Sequence, residues 1–128
     1  MNEAGAAPIR VLIVDDHELF THALTTTLDR DERFEVVGTA ATGRDAVRAA
    51  RGAEVDVVLM DMSMPKLDGL AATRRLLALE PALRVIVLSG HTDRLSQTAA
   101  LESGAAVFLS KSESFDTLTQ TILGVCGR

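Results

Sequence analysis

The chain has 128 residues, the size of one domain, and its 47% hydrophobic and 24% charged residues exclude a disordered tail or a fibrous repeat, so one compact core is expected. A formal net charge of −5 argues against nonspecific attraction to nucleic acid or an anionic membrane, which clustered Lys and Arg would drive. Aromatic residues make up 3% of the chain and all are Phe, too few for a base-stacking platform or a flavin-type pocket.

Met1 to Pro8 reads as a flexible leader that lacks the charged start and apolar stretch of a signal peptide. No apolar run reaches the roughly 18 to 20 residues of a membrane-spanning helix, so a soluble cytoplasmic protein is expected. The first strand is Ile9 to Val14. A helix follows, marked by Leu19, Phe20, Ala23, Leu24 and Leu28, with Asp16 as its expected N-cap. Phe34 to Thr39 alternates less cleanly and reads as an edge strand before the short helix of Ala46, Val47, Ala49 and Ala50, which ends near Gly52. Val55 to Met60 is the third strand, and the third helix runs from about Asp68 through Leu70, Thr73 and Leu77 until Pro81. Val85 to Leu88 is the fourth strand, followed by a helix marked by Leu95, Ala99 and Leu101 and stopped by Gly104. Ala105 to Leu109 is the fifth strand. Ser114 caps a last helix carrying Phe115, Leu118, Ile122 and Val125, and Cys126 is expected to pack as a helix residue.

The β-branched strands read as buried on both faces, and five of them alternating with five helices predict a doubly wound α/β sandwich with a parallel sheet. In such a sheet the residues that follow the strands gather along one edge, where open α/β sheets bind ligands. That edge receives Asp15 and Asp16, Asp61, Ser89 and Lys111. With strand order 2-1-3-4-5, Asp61 sits centrally, its neighbours about 5 Å away on either side and Lys111 about 10 Å away at backbone level. Carboxylates this close repel one another unless a cation compensates, and a hard oxygen donor set suits Mg²⁺. Asp61 is placed to act as a nucleophile toward phosphorus, with the metal, Lys111 and Ser89 stabilising the phosphoryl oxygens.

The matching signatures are Val-Asp-Asp-His (Val14 to His17), Met-Asp-Met-Ser-Met-Pro (Met60 to Pro65) with Asp68-Gly69, Leu-Ser-Gly (Leu88 to Gly90), and Gly104-Ala105 leading to Phe108-Leu109-Ser110-Lys111. In this order, each at a strand end, they make Ile9 to about Val125 resemble the receiver domain of a two-component response regulator. Asp-Asp-His-Glu-Leu-Phe and Lys-Ser-Glu-Ser are most similar to the NarL/LuxR type. The resemblance implies a flavodoxin-like fold across 9–128, and Asp61 as the acceptor of phosphate from a histidine kinase. It also implies Mg²⁺ on Asp16, Asp61 and the backbone carbonyl of Ser63, with Asp15 contributing through water or weakly. Ser89 and Phe108 match the family's switch pair, and Lys111 matches the phosphate-contacting lysine. A homodimer is a further implied partner, and DNA would be reached only through a helix-turn-helix output domain of roughly 65 to 80 residues, which would have to follow Arg128. Two departures stand out: Phe108 where Tyr is common, and Ser112 where many receivers carry proline.

Plainer readings apply to several of these residues. The acid pair alone could be a helix cap, and Asp68 is better explained as a turn and N-cap than as a ligand. His17 and His91 are expected to be solvated or hydrogen-bonded rather than a relay or a metal pair. Ser89 could simply hydrogen-bond its own loop, Phe108 could be a fixed core ring, and Met60, Met62 and Met64 are packing residues. The alternative function is a pseudo-receiver that docks or dimerises without taking phosphate. A nucleotide-binding enzyme is disfavoured, because neither G-x-G-x-x-G nor a P-loop occurs.

Overall fold

Five runs of aliphatic and β-branched residues form the strands of the computed structural model, which describes residues 7–62 and 69–128. They are β1 (Ile9–Val14), β2 (Phe34–Ala40), β3 (Val57–Asp61), β4 (Arg84–Ser89) and β5 (Val107–Ser110). Between and after them lie α1 (Glu18–Asp29), α2 (Gly43–Gly52), α3 (Gly69–Leu79), α4 (Arg94–Glu102) and α5 (Phe115–Val125). The sheet is parallel throughout in the order β2-β1-β3-β4-β5, as expected. The order reverses direction beside β1, so β1 and β3 open a crevice at their carboxyl ends.

Strand alternation divides the core into two layers. Leu12, Val14, Val58, Met60, Val85 and Val87 pack with Ala46 and Val47 of α2, Ala72 and Leu76 of α3 and Ala100 of α4. Ile9, Val11, Ile13, Val57, Leu59, Ile86 and Leu88 pack with Leu24 and Leu28 of α1 and Leu118 and Ile122 of α5. Each large side chain buried this way stabilises the fold by about 1.5–3 kcal/mol, which fixes the strand ends that carry the polar residues.

The helices start and stop on short-range chemistry. Thr42 Oγ1 accepts the Asp45 amide at 3.1 Å, Asp93 Oδ1 the Ser96 amide at 2.7 Å, and Ser114 Oγ the Thr117 amide at 3.1 Å, capping α2, α4 and α5. Gly104 follows α4 with φ +108°, a backbone conformation that favours glycine, and a Cβ there would also strike the Leu77 side chain.

Several expectations need correction. Asp16 does not cap α1: His17 occupies the N-cap position without a side-chain cap bond, and Asp15 Oδ1 accepts the His17 amide at 2.8 Å. The third strand begins at Val57; the exposed Asp56 before it accepts the Arg10 amide on its Oδ2 at 2.9 Å. The fifth begins at Val107, and it is only half-buried rather than covered on both faces, as befits the outermost strand. The uneven alternation of β2 has a cause: the register slips between Val11 and Leu12, pairing Val36 and Gly38 with them and leaving Val37 as an extra residue. Leu19, Leu95 and Leu101 point to solvent instead of marking the buried faces of α1 and α4. Asp68, the expected start of the third helix, lies outside the described residues, as do Ser63 and Met64.

Candidate functional site

Asp61 is the last residue of β3, the central strand, and its side chain is 1% exposed. Asp15 follows β1 and is equally enclosed, its amide held by the Ala40 carbonyl at 2.9 Å. Lys111 follows β5, and its amide donates to the Ser89 carbonyl at 2.8 Å, extending the β4–β5 ladder by one step. From there the side chain leans inward across β4, bringing Nζ to 2.7 Å from Asp15 Oδ2 and 3.3 Å from Asp61 Oδ1. The sheet edge thus assembles the acids and the amine where the strand order predicts them.

His17 is hydrogen-bonded and 63% exposed, as expected, and it also belongs to this cluster. Its Nδ1 lies 2.8 Å from Asp15 Oδ1, 3.4 Å from Asp16 Oδ1 and 3.8 Å from Asp61 Oδ2. The same nitrogen is 3.3 Å from Lys111 Nζ, so a protonated Nδ1 donates to Asp15 and a bare one accepts from Lys111. Its hydrogen bonding was foreseen and its location was not. The signal was its place two residues after Asp15, the spacing at which a carboxylate captures the following loop.

One ligand atom from each of Asp15, Asp16, His17 and Asp61 falls within a 4.8 Å cluster. Three carboxylates there face one ammonium, and two of them are almost wholly withdrawn from water, an arrangement that favours an added cation. Beside the His17 nitrogen, the three carboxylates offer hard oxygens compatible with Mg²⁺. Asp15 and Asp16 also border a groove of about 980 Å³ between α1 and α2, lined further by Thr21, Thr39, Asp45 and Arg48.

Ser89 and Phe108 lie on the other side of the sheet. Ser89 shares the face of Val85 and Val87, is fully buried, and accepts the His91 amide on Oγ at 2.9 Å. Phe108 pairs with Val87 and packs half-buried against the α2–α4 layer. Met60 is core and Met62 packs against it, as expected of packing residues. Gly69 entered the sequence reading only within the Asp68-Gly69 signature, yet a Cβ there would overlap the carbonyl oxygen of Asp61, so only glycine lets α3 start this close to the acid.

A comparison with family models matches residues 11–123 to the response regulator receiver domain. The chain is 40% identical over 117 residues to the response regulator UvrY of Escherichia coli O6:H1, covering 91% of this chain and 54% of that protein. It therefore spans about half the length of the curated relatives it matches. Among solved structures it superposes with a TM-score of 0.90 and 30% identity on the signal receiver domain of the response regulator NarL from Mycobacterium tuberculosis, covering 95% of this chain and 98% of that one. A chain of the CheX-CheY-BeF3-Mg complex from Borrelia burgdorferi is also 30% identical, with a TM-score of 0.86 and coverage of 98% and 94%. With its parallel sheet, the Asp61 edge and the match over most of its length, the chain belongs to the response regulator receiver domain family.

Proposed function

We propose that Asp61 accepts a phosphoryl group from the phosphohistidine of a histidine kinase, with Mg²⁺ bound at the acid cluster. The observation that carries this reading is the Asp61 carboxylate itself: 1% exposed, 3.3 Å from an ammonium, and within the 4.8 Å cluster of acidic donors. Asp16, at 33% exposure, would hold the metal with Asp61 and the Ser63 carbonyl. Asp15 is already engaged by His17 and Lys111, which suits a weaker or water-mediated part. When bound, the ion supplies charge neutralisation for the phosphoryl oxygens and the carboxylates.

An Asp61 oxygen attacks phosphorus, the new O–P bond forms as the P–N bond to the donor imidazole breaks, and the electron pair leaves on that nitrogen. Lys111 neutralises an equatorial oxygen, and the Ser89 hydroxyl turns from the His91 amide to take another. Phe108 moves inward behind it and alters the face built by α4, β5 and α5, through which a second copy or an output domain is engaged. The protein is a signal transducer rather than a turnover enzyme. It works in the cytoplasm on a transcriptional output, and touches DNA only through a domain beyond these residues. No helix among the described residues is long and apolar enough to cross a membrane.

Incubation with acetyl phosphate and Mg²⁺ is expected to give a species about 80 Da heavier, absent in Asp61→Asn and absent without the metal. An unmodified wild-type mass would instead support the pseudo-receiver.

A further inference from the structure

Lys111 enters the cluster on a flexible stem, and its usefulness depends on where the ammonium rests. The backbone beneath it is fixed at both ends. Its own amide binds the Ser89 carbonyl at 2.8 Å, and the Ser112 amide donates to Ser110 Oγ at 3.1 Å, closing the next turn. The ammonium is held by Asp15 and Asp61 and lies 3.3 Å from His17 Nδ1, but the two acids change partners in phosphoryl transfer, and that nitrogen is shared with Asp15 at 2.8 Å. Asp61 must turn an oxygen to phosphorus, and Asp15 is drawn toward a bound cation.

One contact is free of that competition. Lys111 Nζ lies 4.9 Å from the centroid of the Phe20 ring. Phe20 stands in the first turn of α1, and it borders a void of only about 10 Å³ shared with Leu88, Leu109, Phe115 and Leu118. The ring is half-buried and packs against the layer that α1 and α5 share with the sheet. Its negative π face attracts the ammonium without offering an oxygen that a metal or a phosphoryl group could claim. An aliphatic side chain would fill similar space and lack that attraction.

We propose that Phe20 is a positioning residue for Lys111, holding the ammonium over the acid cluster by a cation–π contact so that it is in place when the phosphoryl group arrives. The proposal rests on the phosphoacceptor reading of Asp61, and two measurements on the full chain separate them. The first is the rate of modification by acetyl phosphate at saturating Mg²⁺. Phe20→Leu should slow it about three- to tenfold, the range of a cation–π contact to a partly desolvated ammonium, while Phe20→Tyr stays within about twofold of wild type. A Phe20→Leu rate equal to wild type, or an equal loss in Phe20→Tyr, overturns the proposal, and Phe20→Met replaces Leu if that variant does not fold. The second is the NMR shift of the Lys111 ε-methylene protons. It should be moved upfield by the ring in wild type and Phe20→Tyr, and restored to the ordinary lysine value in Phe20→Leu. If wild type takes no phosphate, the Asp61 reading falls and this shift decides the contact alone: an unshifted wild-type signal overturns it.

Discussion

Where the strands finish, Asp15 and Asp61 are 2% and 1% exposed and share the ammonium of Lys111. Where they begin, Arg10 and Glu54 lie 4.0 Å apart with 36% and 90% of their side chains in water. That end also holds a cleft of about 550 Å³ in which Val47, Leu76, Leu79 and Leu83 are joined by Arg51, Glu54, Asp56 and Glu80. The residue types overlap, yet the solvent differs, and solvent decides what a charge can do. At the starting end water screens each pair, so the charges serve solubility and local loop bonds such as Arg10 Nε to the Glu54 carbonyl at 2.9 Å. At the finishing end the carboxylates are desolvated and their mutual repulsion is held in check by a few fixed groups, which leaves them ready to exchange those groups for a cation or a phosphoryl oxygen.

Matched substitutions at the two ends should give the largest contrast. Lys111→Met removes the ammonium from two buried carboxylates and is expected to lower stability by about 2–3 kcal/mol, reduced from the fully buried case because Lys111 is 17% exposed. Arg10→Met should cost under about 1 kcal/mol. Urea melts of both variants check the difference, and equal losses would mean that the two ends are not electrostatically distinct.

The sequence made the arrangement of Asp15, Asp61 and Lys111 legible because a parallel sheet turns the ends of its strands into neighbours whatever the helices do. The strand order and the caps at Ser114 and Gly104 were legible for the same reason: they depend on pattern and on local backbone chemistry. What it hid was whatever depends on side-chain choice between competing partners. Asp15, not Asp16, captures the His17 amide just before α1, and His17 turns its Nδ1 to the cluster although its side chain stays 63% exposed. Ser89 and Phe108 fall on the α4 side of the sheet while Asp61 shares the face of Leu59, a separation that counting along β3, β4 and β5 would have revealed. Phe20 read only as an apolar residue of a helix, since nothing in its neighbours along the chain names Lys111 as a contact.

Two glycines sharpen the contrast at backbone level. Gly69→Ala forces a Cβ onto the Asp61 carbonyl oxygen, and backbone cannot yield as a flexible side chain does. A loss of about 1–3 kcal/mol is expected, together with slower modification of Asp61 because the strand end must shift. Gly52, at the carboxyl end of α2, faces open space, so Gly52→Ala should raise stability by about 0.5–1 kcal/mol through helix propensity. Thermal melts read both signs, and a neutral Gly69→Ala would show that α3 can move away from the acid at little cost.

The smallest effect concerns the exposed cap of α4, at the finishing end but outside the buried cluster. The Ser96 amide holds the Asp93 carboxyl below the ordinary carboxylate range, helped by the Ser96 side chain. A carboxyl that binds its proton more weakly in the folded chain favours folding when ionised. Its contribution is therefore complete above the ordinary value of 3.8 and disappears as the pH drops through the lower folded value. Asp93→Asn keeps an oxygen for the cap and removes the titration. Hydrogen exchange at the Ser96 amide should accelerate in wild type, relative to Asp93→Asn at the same pH, only once the medium is more acid than that range. An unchanged ratio down to the folded value would show that α4 begins without help from this charge.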